Sequence, residues 1–230
     1  MNADSALNIL TEEVSDCRLC PRLVKYREAV AREKRRAFRD WTYWGRGVPG
    51  FGDAKAKLFI LGLAPAAHGG NRTGRVFTGD RSGDFLYRAL YEAGFANQPT
   101  SVKRGDGLRL KNVYIAAAVR CAPPANKPLP SEILNCRRYL ERELAILRPK
   151  AILALGKIAW DAYLDFLKQE GKITSRAAYR FAHGAEVKFA DDLPHLFGVY
   201  HPSQQNTQTG KVTEAMYAKA LRRIKTFLEA

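Results

Sequence analysis

The sequence lacks a long apolar run, and this absence excludes one class of protein. Although 46% of the 230 residues are hydrophobic, no run approaches the roughly 20 apolar residues that a helix needs to cross a bilayer. The N-terminal segment MNADSALNILTEEVSD carries acids where a secretory signal has a basic stretch and then an apolar one. We therefore expect no membrane association and a cytoplasmic protein, folded as a single domain over residues 1–230.

Acidic side chains are scarce relative to basic ones. The chain has 38 Lys and Arg against 23 Asp and Glu, a formal net charge of +15. Such a balance favours a polyanionic partner, because neutralised phosphates release counterions, although surplus charge also keeps proteins soluble. Residues 32–39 are rich in arginine, and Trp41, Tyr43 and Trp44 follow them. This pattern suits phosphate contact and base stacking, but a solvated helix face followed by core aromatics would look the same.

Apolar and polar segments alternate along the chain in the manner of an α/β protein. Four short apolar segments bounded by turn formers predict buried strands: 58–63, 113–119, 151–155 and 196–200. Helical patterns cover residues 84–93, 130–147 and 157–167, and a last one begins at Thr213. The alternation predicts a mostly parallel, four-stranded sheet between two helical layers. The polar stretch 169–192 is compatible with a loop, a hairpin or an insertion.

Unusual loops follow three of the four predicted strands. The first strand leads into GLAPAAHGGNRTGRVFTGD, the second into RCAPPANKP, and the fourth into HPSQQNTQTG. In open α/β sheets ligands bind at the carboxyl ends of the strands. The sequence therefore predicts a binding site where these three loops meet.

The first of these loops lacks the residues of a nucleoside-triphosphatase. Residues 69–76, GGNRTGRV, approach the phosphate-binding consensus, but Arg75 stands at the lysine position and Val76 has no hydroxyl for magnesium. The loop still offers backbone amides and the donors of Asn71, Arg72 and Arg75 to a phosphate or a base. An ordinary glycine loop is the alternative.

Cysteine is sparse, yet its number fits a metal centre. Cys17 and Cys20 form a C-x-x-C pair, and Cys121 and Cys136 complete a set of four thiols, as a zinc ion or a four-iron cluster requires. Disulfides are not expected in a reducing compartment. Cys136 also lies on the apolar face of its predicted helix, where cysteine often serves as a small hydrophobe.

Several polar residues border the predicted site. His201 follows the fourth strand and would lie at the sheet edge, where it could donate to a developing anion or bond only to backbone. Asp80 and Asp84 flank the start of a helix that one of them would cap. No G-x-S-x-G motif is present, which argues against hydrolysis by a serine triad.

The combination of these motifs resembles the uracil-DNA glycosylase superfamily, in its type B branch, also called family 5. The resemblance is carried by CRLCPRLV, WGRGVPGFGD, GLAPAAHGGNRTGRVFTGD, VRCAPPANKP and YHPSQQNTQTG, which together extend over most of the chain. It implies a three-layer αβα fold around the predicted four-stranded sheet. It also implies a hydrolase of base excision repair that flips a damaged base out of duplex DNA and cleaves its N-glycosidic bond. We expect this enzyme to be monofunctional, because nothing in the sequence points to a Schiff-base lysine.

The resemblance also implies roles for particular residues. Asp80 would steady the oxocarbenium-like sugar or position water, His201 would stabilise the departing base anion, and Asn126 would act in the same pocket. The base would contact Gly62, Ala64, Phe77 and Asn206, with Phe77 stacking on its ring. DNA would contact Arg72, Arg75, Ser203 and Gln205. The ligands of a structural four-iron, four-sulfur cluster would be Cys17, Cys20, Cys121 and Cys136.

Some residues that read uracil elsewhere in the superfamily are missing here. Ala64 stands where the best-known enzymes have aspartate, and the apolar run 116–118 stands where the type A branch has an asparagine. A pocket with few reading groups rejects analogues poorly, so we expect hypoxanthine and xanthine to be accepted besides uracil. No feature indicates an obligate protein partner, and we expect a monomer associated with the nucleoid through DNA. The alternative is a non-catalytic iron-sulfur or zinc protein that binds nucleic acid.

Overall fold

A six-stranded mixed sheet forms the centre of the protein, whose computed structural model describes residues 2–190 and 193–230. The strand order is β1-β3-β2-β4-β6-β5. The strands are β1 (Phe51–Gly52), β2 (Leu58–Gly62), β3 (Val113–Ala117), β4 (Ala151–Leu155), β5 (Ala185–Val187) and β6 (His195–Val199). The helices are α1 (Ala3–Asp16), α2 (Pro21–Glu33), α3 (Gly70–Thr73), α4 (Arg81–Glu92), α5 (Pro130–Leu147), α6 (Lys157–Gln169), α7 (Gln204–Gln208) and α8 (Glu214–Glu229). Short 3-10 turns lie at Arg36–Phe38 and Pro124–Asn126.

The four inner strands are parallel and coincide with the four predicted strands within one or two residues. The α/β class and the mostly parallel sheet are therefore confirmed. The number of strands is six rather than four, because β1 and β5 add short antiparallel edges on β3 and β6. β5 lies inside the stretch 169–192, whose Asp191 and Asp192 are outside the described residues.

Helices cover both faces of the sheet, as the continuous apolar strands require. All residues of β2, β3 and β4 are buried, and successive side chains point to opposite faces. On one face Ile60 and Ile115 pack with residues of α4 and α8. On the other, Phe59 and Ala116 pack with residues of α1, α5 and α6. The result is a three-layer αβα arrangement.

The topology brings the three unusual loops to one edge of the sheet. From β2 the chain passes to β3 on one side and then to β4 on the other, so the connections diverge at the carboxyl end of β2. Ligands bind at such a point in open α/β sheets. None of the helices in the described part of the chain is both long and apolar enough to traverse a bilayer.

Candidate active site

A cavity of about 410 Å³ opens at the carboxyl ends of β2, β3 and β6. The loops after these strands supply its walls, as their positions in the sequence predict. Six of the predicted site residues line it: Ala64, Phe77, Asp80, Asn126, His201 and Ser203. The described structure therefore brings together residues that are up to 139 positions apart, from Ala64 to Ser203.

Phe77 forms one wall of the cavity, and its ring packs directly against Gly62. A Cβ atom added to Gly62, the last residue of β2, would lie 2.7 Å from Cε2 and Cζ of the Phe77 ring, so only glycine leaves room for the ring. Phe77 itself has a left-handed backbone, with φ of 49°. Its ring centroid lies 5.9 Å from that of His201, with the planes inclined by 33°. The two rings thus present flat surfaces to the same space.

His201 is fixed by its backbone, while its imidazole faces the cavity. Asn206 Nδ2 donates to the His201 carbonyl oxygen over 2.8 Å. A Cβ on Gly156, which has φ of 93°, would come within 3.2 Å of the His201 Cβ, so the loop after β4 packs tightly behind it. Burial lowers the pKa of His201 to about 4 because the interior disfavours the charged ring. The imidazole is therefore neutral at pH 7 and keeps one N–H to donate.

Asp80 has two functions in this geometry. Its Oδ1 accepts a hydrogen bond from the Gly83 amide over 3.0 Å and so caps α4, which answers the question of which acid caps this helix. Its Oδ2 faces Gly69, where an added Cβ would lie only 2.2 Å away. Burial raises the pKa of Asp80, against the opposing effect of amide hydrogen bonds and of the Arg72 cation. Among the residues that the structure describes, Asp80 is the carboxylate that lines the cavity, and it lies near the Arg72 cation.

Asn126 reaches the cavity from the turn that follows β3. Both Ala125 and Asn126 have positive φ, 52° and 55°, so the turn adopts a conformation that non-glycine residues rarely take. The structure records six such residues in the described chain, and Phe77, Ala125 and Asn126 are three of them. Backbone strain is therefore concentrated around this cavity.

Two residues predicted to contact DNA are instead buried. Arg75 is 4% exposed, and its guanidinium donates to both carboxylate oxygens of Asp106 over 2.9 and 2.6 Å and to Ser101 Oγ over 2.8 Å. Arg72 is also 4% exposed and donates to the carbonyls of His68 and Gly79. Both guanidinium groups are buried and hydrogen-bonded within the protein, which places them poorly for the predicted phosphate contacts.

Other predicted residues take positions around the cavity without all touching it. Gln205 is exposed on α7, and Ser203 caps that helix by accepting from the Asn206 amide over 3.3 Å. Asn206 lies behind His201 and supports its backbone rather than lining the cavity. Arg81, which is exposed and lines the rim of the cavity, was not among the predicted site residues. Its position directly after the capping Asp80 was the available signal.

The four cysteines lie close together beside the site, with free thiols. Cys20, Cys121 and Cys136 share one small buried cluster with Leu23 and Val119, and Cys17 ends α1 three residues before Cys20. Three of the sulfurs accept hydrogen bonds: Cys121 from Arg27 Nη1 (2.9 Å), Cys20 from Asn135 Nδ2 (3.4 Å) and Cys136 from the Arg120 amide (3.5 Å).

This donor set suits a metal cluster bound through thiolates. Without a metal, burial raises the pKa of Cys121 and raises that of Cys136 to about 12, so both thiols need positive charge nearby to ionise. N–H donors aimed at the sulfurs provide part of it. Among the described residues, no three His, Cys, Asp or Glu side chains are placed to hold a metal ion as they stand.

An αβα protein with a cavity walled by an aromatic ring, a neutral histidine and one carboxylate is a candidate enzyme of the base-flipping class. The chain belongs to the uracil DNA glycosylase superfamily, whose family model matches residues 49–225.

Several relatives are similar to the chain over most of its length. It is 50% identical over 214 residues to the type-5 uracil-DNA glycosylase of Mycobacterium tuberculosis, which covers 92% of this chain and 78% of that protein. It is 50% identical to the type-5 enzyme of Thermus thermophilus, over 91% of this chain and 93% of that one. The type-4 uracil-DNA glycosylase of Pyrobaculum aerophilum is 33% identical, over 86% and 83% of the two chains.

Proposed function

We propose that this protein is a uracil-DNA glycosylase of the type-5 branch, which hydrolyses the N-glycosidic bond of a flipped uracil in DNA repair. The observation that carries the proposal is the cavity itself. Phe77, Asp80, Asn126 and His201 line one cavity at the carboxyl edge of the sheet, in a chain half identical to type-5 uracil-DNA glycosylases over nine-tenths of its length.

The base binds against Phe77 in this proposal. A flat ring gains stacking energy from an aromatic face, and the tight fit of Gly62 under the Phe77 ring holds that face in place. Asn126 supplies a carboxamide that can donate and accept hydrogen bonds at the edge of the base. Since the backbone at Asn126 is left-handed, its side chain points where a regular turn would not place it.

Bond cleavage depends on charge stabilisation at both ends of the breaking bond. Neutral His201 donates an N–H to the base as negative charge develops on it, and a preorganised donor in a dry site is worth most there. Asp80, ionised, stabilises the positive charge on the sugar or orients the attacking water. Burial changes the proton affinity of both groups: it lowers the pKa of His201 and raises that of Asp80.

The range of bases that the cavity accepts depends on the parts of its wall that cannot form hydrogen bonds. Leu63, Ala64, Ala66 and Ala117 present only aliphatic side chains to the cavity. With Asn126 as the one carboxamide at the edge of the base, such a site rejects another flat base poorly. We therefore propose that hypoxanthine and xanthine are released as well as uracil.

A four-iron, four-sulfur cluster bound by Cys17, Cys20, Cys121 and Cys136 belongs to the same proposal. When bound, the cluster supplies iron-thiolate bonds that cross-link α1, α2, α5 and the loop after β3, with no part in turnover. The gathering of four thiols and the N–H donors at three sulfurs support it. Arg27 adds a buried positive charge beside Cys121, which suits the net negative charge of such a cluster.

We also propose the oligomeric state, the form of DNA substrate and the location of the enzyme. It acts as a single-domain monomer on double-stranded DNA, in the cytoplasm and associated with the nucleoid, without an obligate protein partner. The net charge of +15 supports the affinity for DNA. One cavity per chain is sufficient for one flipped base.

Single-turnover base release tests the proposal. Purified protein with measured iron content is mixed in excess with end-labelled duplexes that carry uracil, hypoxanthine, xanthine or, as the control, thymine, and alkali then cleaves abasic sites. We expect release of uracil and of at least one purine above the background that the thymine duplex gives, and no strand cleavage before alkali. No release from any duplex by an iron-loaded, DNA-binding protein would instead favour the non-catalytic iron-sulfur alternative.

A further inference from the structure

We propose that residues 32–43, here called the basic segment, bind the DNA backbone beside the cavity, and that Arg72 holds the segment in place. The inference rests on the proposed function for the identity of the nucleic acid. The proposed DNA-binding surface is separate from the residues that line the cavity. The observation that starts it is the burial of Arg72, a residue whose sequence context suggested that it contacts DNA itself.

Arg72 is the anchor of the basic segment. Its guanidinium carbon lies 3.9 Å from the centroid of the Phe38 ring and 4.1 Å from that of Trp41. Its Nε and Nη2 donate to the carbonyls of His68 and Gly79 over 2.7 and 2.9 Å. A planar cation in contact with two aromatic rings and two carbonyls is fixed in orientation. Arg72 therefore joins the basic segment to the glycine loop.

The same loop separates the basic segment from the cavity. On one side, Tyr43 Oη lies 3.1 Å from His68 Nδ1, and the Trp44 amide donates to the Arg72 carbonyl over 2.9 Å. On the other side, Gly69 lies directly against Asp80, which lines the cavity. Only the glycine loop thus lies between the basic segment and Asp80 in the proposed reaction centre.

The charges of the basic segment are available for a ligand. Arg32, Arg35, Arg36 and Arg39 are all exposed, and within the described part of the chain none of them forms a salt bridge, although thirteen such bridges occur elsewhere. Guanidinium groups pair with phosphate oxygens through two parallel hydrogen bonds. An anchored segment with four exposed arginines beside a base cavity fits the phosphates that flank a flipped nucleotide.

The test is the salt dependence of binding to undamaged duplex DNA. The variant carries Arg35→Ala, Arg36→Ala and Arg39→Ala together. The matched control carries Lys57→Ala, Lys111→Ala and Lys150→Ala, which are exposed and precede β2, β3 and β4 at the opposite edge of the sheet. Both lose three charges, so any difference between them reports position rather than net charge.

We expect the basic-segment variant to flatten the log-log salt slope by about 0.9 per lost phosphate contact, and so by about 2.7 for three. The control slope should stay close to that of the unchanged protein. Equal flattening by both variants, or an unchanged slope in the basic-segment variant, would overturn the proposal. If the same titrations are repeated with duplex RNA, a loss of affinity seen with RNA but not with DNA would also overturn it.

A second variant tests the anchor. Trp41→Ala keeps every arginine but removes one of the two rings against Arg72, and we expect weaker duplex binding with a flatter slope. Binding as tight as in the unchanged protein would remove Arg72 from its anchoring role. These measurements use undamaged DNA and do not depend on catalysis. A protein that binds DNA as expected but releases no base would therefore refute the proposed glycosylase activity and still support the proposed DNA-binding surface.

Discussion

Replacing Gly62 by alanine is expected to displace the wall of the base cavity. The new Cβ would lie 2.7 Å from two atoms of the Phe77 ring, whereas carbon atoms in contact are 3.5–4.0 Å apart. The ring must therefore move by about 1 Å, since Gly62 is fixed in the central strand β2. A misplacement of that size in a catalytic site lowers rates by about 100-fold, and we expect this loss for base release.

The assay is single-turnover release of uracil by Gly62→Ala, with thermal melting as the control for folding. Overpacking costs about 1–3 kcal/mol of unfolding free energy, so the variant should melt at a lower temperature yet remain folded at 25 °C. The second comparison uses a Phe77→Leu background. Leucine lacks the two ring atoms that clash, so Gly62→Ala should reduce the rate of that background less than about 3-fold.

Two results would refute this reasoning. A Gly62→Ala protein that releases uracil at the unchanged rate would mean that the position of the Phe77 ring does not matter for the reaction. An equal loss of rate with phenylalanine or leucine at position 77 would mean that the new methyl group acts on something else. The double comparison separates these cases because it measures the coupling between the two positions directly.

Four further outcomes are expected. His201→Ala should slow uracil release by on the order of 100-fold in single turnover, with an unchanged rate removing His201 from the mechanism. Cys17→Ala should lose iron, measured by elemental analysis, before it loses folding, and a variant with full iron content would exclude Cys17 as a ligand. The rate should fall on the acidic side as pH drops through the raised pKa of Asp80, because the ionised form is needed; an Asp80→Asn variant should lose that limb, and persistence of the limb would assign it elsewhere. Glu143→Gln should cost about 3–5 kcal/mol in denaturant unfolding, since it leaves buried Arg120 without its carboxylate partner; a cost below 1 kcal/mol would show that water or another group compensates.

The sheet was predictable where burial alone determines it. Residues 58–62, 113–117 and 151–155 are apolar throughout and fully buried, so the sequence pattern and the structure report the same property. β1 and β5 have only two and three residues, and none of these is buried. They exist only because β3 and β6 offer free edges, which no local pattern reveals.

The site was predictable to the extent that strand ends determine it. The loops after three strands had to meet at one edge, and Asp80, Asn126 and His201 do share the cavity there. The burial of Arg72 and Arg75 could not be predicted, because their partners are remote in sequence. Arg75 pairs with Asp106, and Arg72 lies against Phe38 and Trp41. Whether an arginine faces solvent depends on such partners and not on its own loop.

The left-handed residues around the cavity set a limit on how stable this protein can be. A residue other than glycine or asparagine costs about 1–2 kcal/mol in that conformation, and Phe77 and Ala125 both adopt it. Their combined cost is comparable to a sizeable part of the 5–15 kcal/mol that holds a typical protein folded. Selection for heat resistance alone would thus favour substitutions that relax these positions, and such variants would trade repair activity for stability.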